Sequence, residues 1–75
     1  MTVTLRQHDG NGYYVSLEQI LTNNGIVLIV QACPKVGEQL FGFPEREMRY
    51  PLKEEKKAIR TYKRYVKKYC TQKGE

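Results

Sequence analysis

Between Pro51 and Cys70 the apolar residues recur at every third or fourth position: Ala58, Ile59, Tyr62, Tyr65, Val66, Tyr69 and Cys70. At about 100° of rotation per residue these positions share one flank of an α-helix. The opposite flank carries Lys53, Lys56, Lys57, Arg60, Lys63, Arg64, Lys67 and Lys68, and no acidic residue interrupts the chain between Glu55 and Glu75. No other stretch constrains the fold as tightly. Such a helix needs a surface for its apolar flank, and either water or an anion for its basic one.

The basic flank has a cost. Lys53/Lys57, Lys56/Arg60, Arg60/Arg64, Lys63/Lys67 and Arg64/Lys68 stand four residues apart. Each like-charged pair destabilises an isolated helix by roughly 0.2–0.5 kcal/mol, about 1–2.5 kcal/mol in all. Glu54/Lys57 compensates at helical spacing, and Glu54 and Glu55 in the first turn favour the helix dipole. The helix must therefore lean on packing or on a bound anion.

Charge is concentrated in this segment. The net charge of the 75 residues is +5. Residues 51–75 hold nine Lys and Arg against three Glu, whereas residues 1–50 hold four basic side chains against five acidic ones. Seventy-five residues suffice for one domain near the size at which a single core only just offsets chain entropy. The expected division is a β-sheet region over 1–50, the helix over 51–72 and a frayed tail over 73–75.

The first fifty residues read as strands. Thr2 to His8 alternates, with Val3 and Leu5 on one side and Thr4, Arg6 and His8 on the other, the period of a half-buried strand. Asp9-Gly10-Asn11-Gly12 reads as a hairpin reversal. A three-residue loop Gly10-Asn11-Gly12 would set Leu5 opposite Leu17 and Val3 opposite Gln19, keeping apolar residues together. Tyr13 to Leu21 reads as a second strand, although Ser16 to Gln19 also has the spacing of a helix capping box. Asn24-Gly25 favours a two-residue turn, pairing Leu21 with Leu28, Gln19 with Val30 and Leu17 with Ala32. Ile26 to Cys33 is an apolar, β-branched run expected in the sheet centre. Gln39 to Phe43 reads as a further strand ended by Pro44. Glu45 to Tyr50 fits an edge strand, with Arg46, Met48 and Tyr50 alternating, and a helix fits nearly as well, so both readings stay open.

The fold class expected from this order is α+β: a small antiparallel β-meander of three to four strands, with one C-terminal amphipathic basic helix packed on one sheet face. Its core would combine Val3, Leu5, Val15, Leu17, Leu21, Leu28, Val30, Phe41 and Phe43 with Ile59, Tyr62, Val66 and Tyr69. One helix cannot cover two faces. Tyr14, Ile20, Val27, Ile29 and Cys33 would point the other way, and exposed apolar clusters often mark interfaces.

Catalytic chemistry finds little to use. His8 is the only histidine, and His8, Asp9, Cys33 and Cys70 lack the spacing of a triad or a zinc site. Catalytic residues, a metal and a cofactor are therefore not expected. Two cysteines in a chain without a secretory leader pattern are expected as buried free thiols. The longest apolar run, Ile26 to Val30, is far short of a membrane span. A cytoplasmic protein is the expectation.

Two partner classes remain. Lys53, Lys57, Arg60, Arg64, Lys67 and Lys68, extended by Arg46 and Arg49, would track the phosphates of DNA or RNA without reading sequence. Alternatively, Tyr14, Ile20, Val27 and Ile29 would bury against a second copy in a homodimer or against another protein, with the basic helix steering toward an acidic surface. A regulatory or accessory protein of phage or mobile-element type would fit that second pattern, although no residue carries that origin. Among the tyrosines of the helix, only Tyr65 would lie near enough to the boundary to stack on a base.

Overall fold

In a computed structural model, which describes residues 1–37 and 42–71, the chain forms one antiparallel sheet in sequential strand order with a helix laid across it. The strands are β1 (Thr2–Gly10), β2 (Tyr13–Thr22), β3 (Gly25–Pro34) and β4 (Arg46–Pro51). A 3₁₀ turn at Leu52–Glu54 leads into α1 (Glu55–Tyr65), which ends in a π-helical turn, Val66–Cys70. The α+β meander is thus the architecture, with Pro51 closing β4 and leading into the first helical turn.

Turn chemistry decided both registers, and in the first hairpin it overrode the hydrophobic pattern. Asn11 (φ +52°) and Gly12 (φ +77°) form a two-residue reversal flanked by Gly10 and Tyr13. Two consecutive positive φ angles match the right-handed twist of the strands, which a three-residue loop would not exploit as well. The cost is a one-residue offset, and a β-bulge at Leu5 absorbs it. Val3 still faces Gln19 as expected, but Leu17 faces Arg6 instead of Leu5. Because a single-residue shift exchanges the two faces of a strand, the bulge turns Arg6 and His8 toward the helix side.

The second hairpin pairs Thr22 with Gly25 across Asn23-Asn24, which puts Leu17 opposite Val30 and Gln19 opposite Leu28. This is two residues away from the register expected from Asn24-Gly25, so every side chain keeps its face. The local hydrogen bonds explain the choice: Thr22 Oγ1 accepts from the Asn24 amide at 3.1 Å and donates to the Gly25 carbonyl at 2.7 Å. Residues 16–21 are strand, so the helical alternative there is excluded.

The core lies between the helix and the two central strands. Val15, Leu17, Leu28, Val30 and Ala32 pack against Ala58, Tyr62, Tyr65, Tyr69 and Cys70, with Tyr13, Tyr50, Ile59 and Val66 at its margin. Val3 and Leu5 stay exposed because they lie in the first half of the edge strand β1, whereas the helix end packs on its second half at His8 and Gly10, and Leu21, at the far end of β2, is 60% exposed. Phe43 is 93% exposed and not in a strand. The expected strand over Gln39–Phe43 falls mostly outside the described residues, as do Phe41 and the expected tail over 73–75; the fourth strand is the Arg46–Pro51 segment.

The end of the helix is pinned to the first hairpin. The π turn is closed by the Thr71 amide donating to the Val66 carbonyl at 3.2 Å, and both Tyr69 and Cys70 are buried against the sheet. Asn11 Nδ2 donates to the Tyr69 carbonyl at 3.3 Å, satisfying one of the acceptors that every helix end leaves over. A Cβ on Gly10 would sit 3.0 Å from the Cys70 carbonyl oxygen. Glycine there permits the close approach. The Cys70 thiol points at the carbonyls of Tyr13 (3.6 Å) and His8 (3.8 Å). Tyr69 in turn packs on Tyr13, with ring centroids 5.0 Å apart, and edge-on against Tyr65 at 5.9 Å.

Candidate nucleic-acid interface

Lys53, Lys57, Arg60, Arg64, Lys67 and Lys68 are all exposed, as are Lys56 and Lys63. Most project from the side of the helix opposite Ala58, Tyr62, Tyr65 and Tyr69, while Arg64 and Lys68 flank that buried side. Of these cations, Lys57 has an ion-pair partner among the described residues, Glu54 at 3.6 Å. The other ion pairs, Lys35 with Asp9 and Arg49 with Glu47 (2.9 Å), are made by the sheet. Carboxylates of the sheet therefore leave the helical cations unneutralised among the described residues.

Arg46 and Arg49 separate. Side chains alternate faces along a strand, so residues three apart cannot share one. Arg46, opposite Ala32, faces the helix, whereas Arg49, opposite Ile29, lies on the far face and is held by Glu47. Arg49 consequently does not extend the cationic surface. Arg6, turned inward by the bulge, approaches it from β1: burial raises the pKa of the Tyr62 hydroxyl, and the Arg6 charge opposes that rise.

Between β4 and the helix runs a cleft of about 280 Å³. Its β4 bank is Arg46, Met48 and Tyr50. The helix bank is Thr61, Arg64, Tyr65 and Lys68. The Tyr50 and Thr61 hydroxyls share a hydrogen bond of 2.6 Å that ties the banks together. Burial pushes the Tyr65 hydroxyl up in pKa, while Arg46 and Arg64 pull it back, so both guanidiniums lie close to this ring. Tyr65 itself is only 6% exposed and belongs to the core, not to the open boundary where a stacking residue was expected. Lys68 at the mouth lies over the Tyr69 ring, 5.4 Å from its centroid.

Tyr14, Ile20, Val27 and Ile29 share the sheet face away from the helix: Ile20 pairs with Val27, Tyr14 with Cys33, and Ile29 with Glu18. Tyr14, Ile20 and Val27 are half-buried, and the Tyr14 hydroxyl donates to Gln7 Oε1 at 2.6 Å. Ile29 is 6% exposed. As a contact residue it is a poor choice, because it sits in the sheet centre between Glu18 and Arg49 of the neighbouring strands.

Cys33 and Cys70 are both buried free thiols. They lie on opposite faces of the sheet, Cys70 beneath the helix and Cys33 beside Tyr14, so they cannot bridge. Burial raises both thiol pKa values. Among the described residues no three His, Cys, Asp or Glu side chains gather as a metal site, and no helix is long and apolar enough to cross a membrane.

Compared with known proteins, the chain matches no family model, no curated protein and no solved structure.

The signal for the β4 bank was present in the sequence as the alternation Arg46, Met48, Tyr50. What it lacked was the partner. Arg46 meets Arg64 only after the chain has turned from β4 into the helix, and no local spacing encodes that meeting.

Proposed function

We propose that the chain binds DNA or RNA without sequence preference through the cationic flank of its C-terminal helix. The observation that carries this reading is the row of exposed Lys and Arg along residues 53–68, joined by Arg46 and, among the described residues, left without carboxylate partners except at Lys57. Such a row is self-repelling, and a polyanion relieves the repulsion by exchanging its condensed counterions for fixed cations. Nineteen helical residues at 1.5 Å each span about 28 Å, or about eight base pairs of duplex. Phosphate contacts of this kind set affinity and orientation but do not choose sequence. A cytoplasmic location would give access to such polyanions.

Fluorescence anisotropy with a random-sequence duplex and an RNA hairpin at 50 mM salt tests the proposal. Binding is expected, and the triple variant Arg60→Glu/Arg64→Glu/Lys67→Glu should abolish it while retaining the native circular dichroism spectrum. Absence of binding by the wild type, or undiminished binding by the triple variant, refutes the reading.

A second reading is favoured by one observation: Ile20 and Val27 pair with each other on the sheet face away from the helix and are only half-buried. This face would associate with a second copy or with another protein. Sedimentation of wild type against Tyr14→Asp separates the cases, because a monomer at all concentrations, with no captured partner, removes it.

A further inference from the structure

The cleft between β4 and the helix differs from the rest of the cationic surface in having a part-apolar lining. Phosphates need only cations, and the solvent-facing row on the helix supplies those. Here Arg46 and Arg64 stand on facing banks, and Met48 and Tyr65 add apolar lining to the same cleft. The hydrogen-bonded hydroxyls of Tyr50 and Thr61 add polar partners within the same space. A volume of about 280 Å³ is smaller than the pockets that enclose drug-sized ligands. It suits a single planar heterocycle. A base in duplex is stacked and paired, and cannot enter without being extruded.

Building on the nucleic-acid reading, we infer that this cleft receives one unpaired nucleobase, held between Arg46 and Arg64 against Met48, so that the protein prefers single-stranded over double-stranded nucleic acid. Flanking phosphates would meet Lys68 on one side and the Arg60 turn of the helix on the other. Guanidinium planes and apolar side chains take any base by its π-face, so the preference is for strandedness and not for sequence. The direction of the effect is diagnostic. Duplex DNA has the higher charge density and the steeper counterion response, about 0.9 per phosphate contact against about 0.7 for single strands. Cations alone would therefore favour the duplex.

The test compares an eight-nucleotide oligothymidylate with an eight-base-pair hairpin duplex, at 50 mM salt, by anisotropy and by NMR of protein labelled at its methionine methyls. The chain has two methionines, so Met1 serves as an internal reference for Met48. The single strand should bind about tenfold more tightly or better, as expected when one base is stacked, and it should shift the Met48 methyl while the duplex does not. Met48→Arg adds a cation and removes part of the apolar lining. It should weaken single-strand binding at least fivefold while leaving duplex binding equal or tighter. Equal binding of both nucleic acids, with the Met48 methyl unmoved, would overturn the inference and leave the nucleic-acid reading standing. Failure of both to bind would remove that reading, and the inference with it. Thymidine monophosphate forms a further arm: saturation of the Met48 shift by the free nucleotide at concentrations where the strand gives none would overturn the strand assignment.

Discussion

Substituting Gly10 by alanine probes the contact that fixes where the helix ends. Gly10 is the last residue of β1, and an added Cβ would lie 3.0 Å from the Cys70 carbonyl oxygen, 3.7 Å from its Cβ and 3.8 Å from its carbonyl carbon. Ordinary contacts of this kind begin near 3.4 Å, and the blocking atom is backbone, so the helix end must move by about 0.4 Å. Overpacking of this sort costs roughly 1–3 kcal/mol. A domain of this length loses about 6 °C in melting temperature per kcal/mol, so the expected fall is about 6–18 °C. Circular dichroism melts give the fall, and hydrogen exchange locates it: amides of residues 66–71 should exchange faster before those of β3 do. Gly12→Ala is the control. It meets nothing within 4 Å but keeps a φ of +77°, which costs about 1–2 kcal/mol through strain alone, and its effect should appear in the turn without selective loosening of the helix end. A Gly10→Ala melt within 2 °C of wild type, or exchange that rises evenly along the chain, would refute the packing argument.

Other expectations follow from the same contacts. Tyr50→Phe leaves the buried Thr61 hydroxyl without its 2.6 Å partner and should cost about 1 kcal/mol, measured by urea denaturation; no change would mean that the two banks of the cleft are not tied there. Leu28→Ala empties a fully buried site at the sheet centre and should cost about 2–5 kcal/mol, read as a lowered urea midpoint by circular dichroism; an unchanged midpoint would refute the burial argument. The pH dependence has a definite sign. Burial raises the thiols of Cys33 and Cys70 above an ordinary 9.0, and the hydroxyls of Tyr14, Tyr62 and Tyr65 above 10.0. A raised acid favours the folded state while it stays protonated, so this stability is intact below about pH 9 and is lost as pH rises through the folded-state values. Urea midpoints should hold steady from pH 7 to 8.5 and then fall; a midpoint that rises above pH 9 contradicts the assignment.

The helix was legible from residues 51–70 because its apolar spacing matches no other structure, and the buried set Ala58, Tyr62, Tyr65, Tyr69 and Cys70 follows from that spacing. The central strands were legible from their β-branched runs. Registers were less so, for different reasons in the two hairpins. A two-residue slip between β2 and β3 preserves every face, so hydrophobic pattern cannot detect it, and Thr22 decides the turn through its own hydrogen bonds. In the first hairpin Asn11-Gly12 imposed its positive φ angles and the conflict was discharged into a bulge at Leu5. Val3, Leu5 and Leu21 misled because apolar alternation shows which face a residue takes but not whether the helix reaches it. Of the site, the helical cations could be read directly. The cleft could not, since it joins residues from β4 to Thr61–Lys68, about two to four turns into the helix, through a reversal that only the tertiary fold creates.

The central claim is that the helical cations stand open and displace counterions from a nucleic acid. Its most direct test is the salt dependence of duplex affinity between 50 and 200 mM. If five of the helical cations meet phosphates, log K falls against log salt with a slope of about −4.5, a loss of about 500-fold over that range. Removing Arg60 and Lys67 together should flatten the slope by about 1.8. A slope shallower than about −1, or one unchanged by the double substitution, would contradict the account.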